Sequence, residues 1–209
     1  MLYDVALVGG GKHTRLTLKI DGSYISAMCF RQSLSDLDLY PGDMVDVLFT
    51  LDINEFQNQR NLQMIVKDVR LTEKKFREEN CDREIFKKMR EGMSAAELGM
   101  DEFSANEIVP SRNDFAAVYS TLRRELRVEH EMFSIRALQH LMRTGGTKLG
   151  YIKLRYIILI FNELNLLRAE AYDEEKEIFV FRYIFQQGKT NLDKSSIYKK
   201  LKADFGQKM

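Results

Sequence analysis

Near the start of the chain Leu16, Leu18 and Ile20 alternate with Arg15, Thr17 and Lys19, the period of two that marks a half-buried strand. Asp21-Gly22 follows as a tight-turn signal, and residues 24–30 read as the returning strand. Residues 35–40 read as a short helical or irregular connection. Pro41-Gly42-Asp43 ends it, with Pro fixing φ and Gly freeing it. Val45, Val47, Phe49, Leu51 and Ile53 then alternate along a long strand, 54–60 form a polar hairpin tip, and Leu62, Met64 and Val66 begin a strand ending near Arg70. At least four short strands, one helical insertion and Gly-rich bends in so short a stretch predict a small barrel over residues 1–71, with an OB-type fold as the leading candidate.

The period then changes. Thr72 caps a helix over about 73–90, stopped by Gly92, whose apolar residues Phe76, Ile85, Phe86 and Met89 are sparse among charges. Residues 92–109 show no clear period, so 72–109 read as a helical connector. Pro110-Ser111 opens a third part over 110–209. Ser111 and Asp114 have capping-box spacing, and Phe115, Val118, Tyr119, Leu122 and Leu126 share one helical face. Ser134 caps a second helix that ends at Gly145-Gly146, and about 150–164 form a third, strongly apolar one. Residues 166–172 and 178–184 flank the turn 173–176 as a hairpin, and a last short helix covers about 194–204. Three helices followed by a hairpin is the order of a winged helix. The expected class is α+β: an N-terminal OB-like β-barrel, a helical connector and a C-terminal winged-helix-like domain.

The chain has 209 residues, 44% hydrophobic and 30% charged, ordinary for a globular protein. No apolar run approaches the roughly 20 residues of a membrane helix. The N-terminus has no basic region before an apolar stretch, and Cys29 and Cys81 are the only cysteines, which disfavours a secreted disulfide scaffold. A reduced, cytoplasmic protein without membrane contact is the expectation. The net charge of +1 conceals a partition: residues 1–70 sum to −2, 71–114 to −3 and 115–209 to +6. Such a split suits a C-terminal half that meets something anionic, and equally a solvated surface.

Catalytic chemistry is scarce. Gly9-Gly10-Gly11-Lys12-His13-Thr14 lacks the spacing of a phosphate loop and leads into a strand, so a glycine bulge bending a long strand is the expectation. The three histidines have no metal-ligand spacing, and the acidic residues form no paired cluster. Neither a catalytic residue nor a metal ligand is assigned. Binding chemistry is richer. His13, Arg15, Thr17 and Lys19 share one strand face opposite the core positions, with Tyr24, Phe30 and Phe56 among the nearby aromatics. Cations for phosphates and rings for bases are what a barrel offers to single-stranded nucleic acid; plain solvent-facing residues give the same pattern. The nucleic-acid candidates are Lys12, His13, Arg15, Lys19, Phe56 and Arg60. In the C-terminal part Lys148, Lys153 and Arg155 on the third helix, with Arg168 and Arg182 on the hairpin, are candidates to dock DNA or a partner protein, although Arg155 on a core helix can equally snorkel.

Three stretches together carry a family resemblance. The first is 11–18, GKHTRLTL, with the 24–30 strand. The second is 41–47, PGDMVDV, running into 49–56, FTLDINEF, and 62–69, LQMIVKDV. The third is 109–115, VPSRNDF, with Val118-Tyr119. The chain resembles the C-terminal part of RecJ-type single-strand-specific DNA exonucleases, especially the Gram-positive form with an extra C-terminal domain. The resemblance runs almost end to end and is strongest over 11–70. It implies an OB module that grips single-stranded DNA, with Lys12, His13 and Arg15 in that role. It also implies a C-terminal unit that binds a partner such as the acidic tail of single-stranded DNA-binding protein. Hydrolysis in that family belongs to DHH and DHHA1 domains with two divalent metals, Mn or Mg. Their motifs are absent here, so no catalytic residue carries over, those domains become expected partners, and the chain reads as a truncated gene, a split subunit or a fragment. The alternative is a protein–protein adaptor of a replication or repair complex without direct DNA contact.

Overall fold

A computed structural model describes residues 1–56, 59–100, 107–126, 131–184 and 190–205, with only the backbone described at 34, 35, 54, 56, 59 and 61. The chain divides into two compact units, Met1–Glu78 and Glu79–Met209.

In the first unit five strands, β1 (Leu2–Val8), β2 (His13–Ile20), β3 (Ser23–Phe30), β4 (Val45–Phe56) and β5 (Gln59–Leu71), form one sheet in the order β1-β2-β3-β5-β4. A single helical turn, α1 (Leu34–Leu37), links β3 to β4. Neighbours are antiparallel except β3 and β5, which run parallel through Ala27–Met64 and Met28–Ile65. The sheet curls back on itself at Leu2: its N–H donates to the Asp43 carbonyl at 2.8 Å, and its carbonyl accepts the Gly42 N–H at 2.7 Å. Leu2, Leu16, Leu18, Ala27, Cys29, Leu39, Met64 and Val66 fill the interior. Burial pushes the Cys29 thiol up to about 11, so it packs as an inert apolar group. Asp21 and Gly22, with φ of 45° and 83°, make the two-residue hairpin turn read from the sequence.

The barrel departs from the sequence expectation in three places. The glycine run is not a bulge inside a long strand. Gly9, Gly10 and Gly11 take φ of 61°, 69° and 84° and turn the chain between β1 and β2, a conformation that costs a residue with a Cβ. Ile20 is exposed at the strand end, whereas Thr14 is buried in line with Leu16 and Leu18; its hydroxyl donates to the Gln32 carbonyl at 2.8 Å, satisfying a polar atom that would otherwise be costly inside. Phe49, Leu51 and Ile53 follow the alternation yet stay exposed. The β3–β5 pairing reaches only Ala27 and Met28, so the distal part of the β4–β5 hairpin has no third strand beside it.

The second unit takes in most of α2 (Glu73–Glu91), then α3 (Arg112–Glu125), β6 (Glu131–Ser134), α4 (Ile135–Thr144), α5 (Tyr151–Glu163), β7 (Leu167–Asp173), β8 (Ile178–Tyr183), a 3-10 turn at Leu192–Lys194 and α6 (Ser196–Phe205). The three strands order as β6-β8-β7. Ser111 and Asp114 close the predicted capping box reciprocally. Helix α5 is the centre, burying Tyr151, Ile152, Leu154, Ile157, Ile160 and Phe161 among others. A solvated connector is not what the described residues of 72–109 form. Phe86 and Met89 are buried in this core, and the Phe86 ring meets Tyr156 at 5.3 Å and Tyr151 at 6.0 Å, edge to face. Two apolar residues three apart make a stripe when a neighbouring element supplies the matching surface, which is invisible in the helix's own composition.

Two carboxylates, Glu177 buried and Glu163 exposed, tie this unit together. Glu177, at the turn before β8, accepts from Arg83 of α2 at 2.8 Å and from Arg155 and the Tyr151 hydroxyl of α5. The Arg155 guanidinium also lies 4.7 Å from the Phe86 ring centre and 5.0 Å from that of Phe179. Glu163, at the end of α5, accepts from the Ser195 and Ser196 hydroxyls and from the backbone N–H groups of Ser196 at 2.9 Å and Ile197 at 3.3 Å, capping α6 from another helix. Desolvation works to raise the Glu163 pKa, but these hydrogen bonds outweigh it and hold it below its ordinary value.

Replacing Glu177 by Gln is expected to destabilise the protein by about 2–4 kcal/mol in urea denaturation. That is less than a fully buried pair would lose, because the Arg83 side chain is 32% exposed. The depressed pKa of Glu163 means its stabilising contribution is present above the unfolded value of about 4.5 and is lost as pH falls through the lower folded value. The denaturation midpoint should therefore drop more between pH 7 and pH 3 in the wild type than in Glu163→Gln, and equal drops would contradict this account.

Candidate nucleic-acid interface

The outer face of β2 and β3 is built by register. His13 stands opposite Phe30, Arg15 opposite Met28, Thr17 opposite Ser26 and Lys19 opposite Tyr24, and all eight point away from the side holding Leu16, Leu18, Ala27 and Cys29. Tyr24 is 55% exposed and Phe30 47%. From His13 to Lys19 the face runs about 20 Å.

Each end carries rings and a positioned polar group. At one end the pairing of β1 with β2 slips between Leu2 and Asp4, and this bulge leaves Tyr3 exposed. The Tyr3 ring stands edge to face with Tyr24 at 4.6 Å, and the Lys19 Nζ lies 5.7 Å from the Tyr24 ring centre. At the other end His13 packs its ring edge to face with Phe30 at 5.2 Å, and its Nδ1 accepts the Arg31 N–H at 3.0 Å. With Nδ1 engaged as an acceptor, the ring proton of the neutral form sits on Nε2. Gly9 makes room for this ring: a Cβ there would meet His13 Cδ2 at 2.9 Å.

The other candidates are dispersed. Lys12 is exposed in the β1–β2 turn beside this face. Arg60 lies toward the tip of the β4–β5 hairpin, 2.8 Å from Glu55 in an exposed ion pair, and the Phe56 side chain is outside the described residues. In the second unit Lys148 is exposed in the loop before α5, not on the helix as the pattern implied. Arg168 is exposed on β7, 3.4 Å from Glu170 and directly opposite Arg182 of β8. Lys153 and Arg155 are not presented to a partner. Lys153 pairs with Asp114 at 3.5 Å, and Arg155 is held between Glu177 and aromatic rings; α5 is a core helix, so its cations turn to partners within the unit. Sequence reading passed over Tyr3 and Met28. The parity of Tyr24 and Phe30 points to Met28, but no period reveals a bulge at Tyr3. Among the described residues, no three His, Cys, Asp or Glu side chains converge as metal ligands would, and no helix is long and apolar enough to cross a membrane.

Five strands ordered β1-β2-β3-β5-β4 with a parallel β3–β5 pair and a helical turn between β3 and β4 define an OB-type domain. The comparisons with known proteins agree. Residues 1–68 match the sequence model of the RecJ OB domain, so the first unit is similar to a RecJ-type OB domain. A curated relative, the single-stranded-DNA-specific exonuclease RecJ of Bacillus subtilis (strain 168), is 26% identical over 74 residues, which is 35% of this chain and 9% of that protein.

Gly9→Ala tests how this face is held. The added Cβ must displace the His13 ring, and φ of +61° is strained for an L side chain, so a loss of about 1–2 kcal/mol is expected. The His13 ring resonances in an NMR spectrum should move, while resonances from the second unit stay in place.

Proposed function

We propose that this chain is the non-catalytic, strand-gripping part of a RecJ-like exonuclease activity, holding single-stranded DNA on the β2–β3 face of its OB domain. The observation that carries this reading is the pairing of Arg15 and Lys19 with the exposed rings Tyr3, Tyr24 and Phe30 on one face of a RecJ-type domain. Cations there neutralise phosphates while rings accept bases on their faces, which requires no particular sequence. The match to the curated exonuclease leaves most of that enzyme outside the comparison. Cleavage, with its Mn or Mg, is therefore assigned to separate catalytic domains of the DHH and DHHA1 type acting with this chain.

For the second unit we read the order α3-β6-α4-α5-β7-β8, with sheet order β6-β8-β7, as a winged helix serving as a docking module. Its third helix is turned inward, so docking falls to the hairpin around Arg168 and Arg182 and to Lys148, toward DNA or an acidic partner such as the tail of single-stranded DNA-binding protein. One observation favours the adaptor reading instead. Phe49, Leu51, Ile53 and Leu62 line the inner-face side of the projecting β4–β5 hairpin, with Leu62 71% exposed, an apolar strip suited to protein contact.

Fluorescence anisotropy of a labelled single strand and a matched duplex, over a salt series, tests the reading. Tighter single-strand binding that weakens with salt is expected. Arg15→Glu and Lys19→Glu should each flatten the salt slope by roughly 0.7, and Tyr24→Ala should cost about 1–3 kcal/mol of affinity. Binding to neither nucleic acid at low salt would move the weight to the adaptor reading. Degradation of single strands by the purified chain with Mn²⁺ or Mg²⁺ would overturn the non-catalytic assignment.

A further inference from the structure

A cleft of about 710 Å³ opens in the second unit, lined among the described residues by Arg112, Ala116 and Tyr119 of α3, by Phe161 and Leu166, and by the segment 190–193. This size suits a ligand of a few rings, larger than one side chain. Its floor is aromatic: the Phe161 ring meets Phe115 at 5.7 Å, tilted, and Tyr119 at 6.0 Å, edge to face, and the Tyr119 hydroxyl is engaged by that of Tyr183. The rim is cationic. Lys202 Nζ bonds Asp193 Oδ1 at 2.7 Å, and Arg112 and Lys199 stand close enough to lower the Asp193 pKa further.

The wall at 191–193 offers a donor and an acceptor side by side. Asn191 Oδ1 accepts the Asp193 N–H at 3.0 Å, which leaves its amide N–H groups without a partner among the described residues. Asp193 Oδ2 is likewise unengaged. The edge of a nucleobase, which presents N–H donors beside acceptors, complements this pair. We propose that this cleft is a nucleotide site, with the base on the aromatic floor against Asn191 and Asp193 and the phosphate toward Arg112. The site is separate from the β2–β3 face and stands or falls independently of it.

The test is a titration of the full chain, labelled with ¹⁵N, with deoxycytidine 5′-monophosphate, with inorganic phosphate, and with an acidic peptide ending in Phe. The nucleotide should shift amides at 112–119 and 190–193, and phosphate alone should bind at least about tenfold more weakly. Two variants should each weaken the nucleotide about tenfold: Ala116→Trp, which fills the cleft from an exposed helix position, and Arg112→Glu, which puts an acid in the first turn of α3 where the helix dipole favours it. Both leave the remaining spectrum in place. Equal binding of phosphate and nucleotide would overturn the proposal in favour of a bare anion site. Binding of the peptide without the nucleotide would overturn it in favour of a protein-tail groove. Nucleotide shifts confined to residues 13–30, or no shifts, would also overturn it.

Discussion

Two backbone hydrogen bonds at Leu2, one to the Asp43 carbonyl and one from the Gly42 N–H, hold the first unit in its working shape. They bring the start of β1 against the entry to β4, so the sheet curves around a shared interior. Once it does, every strand has one side inside and one outside, and the period of two in β2 and β3 becomes a division of labour. Thr14, Leu16, Leu18, Ala27 and Cys29 are sealed in, and the cations and rings are left on the convex side. A flat sheet of the same sequence would leave both sides wet and give the outer residues no rigid support.

The second unit depends on carboxylates that tie its elements together. Glu177 gathers Arg83, Tyr151 and Arg155 from two helices onto one hairpin turn. Two arginines at one carboxylate satisfy more of its lone pairs than one could, which lowers the desolvation penalty that makes isolated buried ion pairs poor stabilisers. Glu163 does related work at α6, where the first-turn N–H groups would otherwise lack partners. Both carboxylates join elements far apart in sequence. Arg155 and Lys153, which have the composition of a binding helix, are held within the unit, Arg155 by Glu177 and Lys153 by Asp114.

The two units thus offer contrasting surfaces. The first displays rings and cations on an extended face, which suits a strand lying across it. The second concentrates its aromatic surface in a cleft with a charged rim. Exposed Leu51, Ile53 and Leu62 on the β4–β5 hairpin add an apolar strip of a third kind. Each arises where a regular pattern of side chains runs past the point at which neighbouring backbone covers it.

The sequence alone carried the elements whose stability is local. Alternation located β2 to β5, Asp21-Gly22 located the hairpin turn, and Ser111 with Asp114 located the start of α3, because period, turn chemistry and caps act over a few residues. It also placed His13, Arg15 and Lys19 on one face, since parity along a strand is a property of the chain. Partners across space were not legible. The tertiary structure decided that Phe86 and Met89 are core, that Arg155 is an internal ligand of Glu177, and that Phe49 and Ile53 stay outside. It also turned Tyr3 out through a bulge and assembled the cleft from α3, α5 and residue 190 onward. Those outcomes depend on which surface another element presents, and on where strand pairing stops, neither of which any short window of sequence contains.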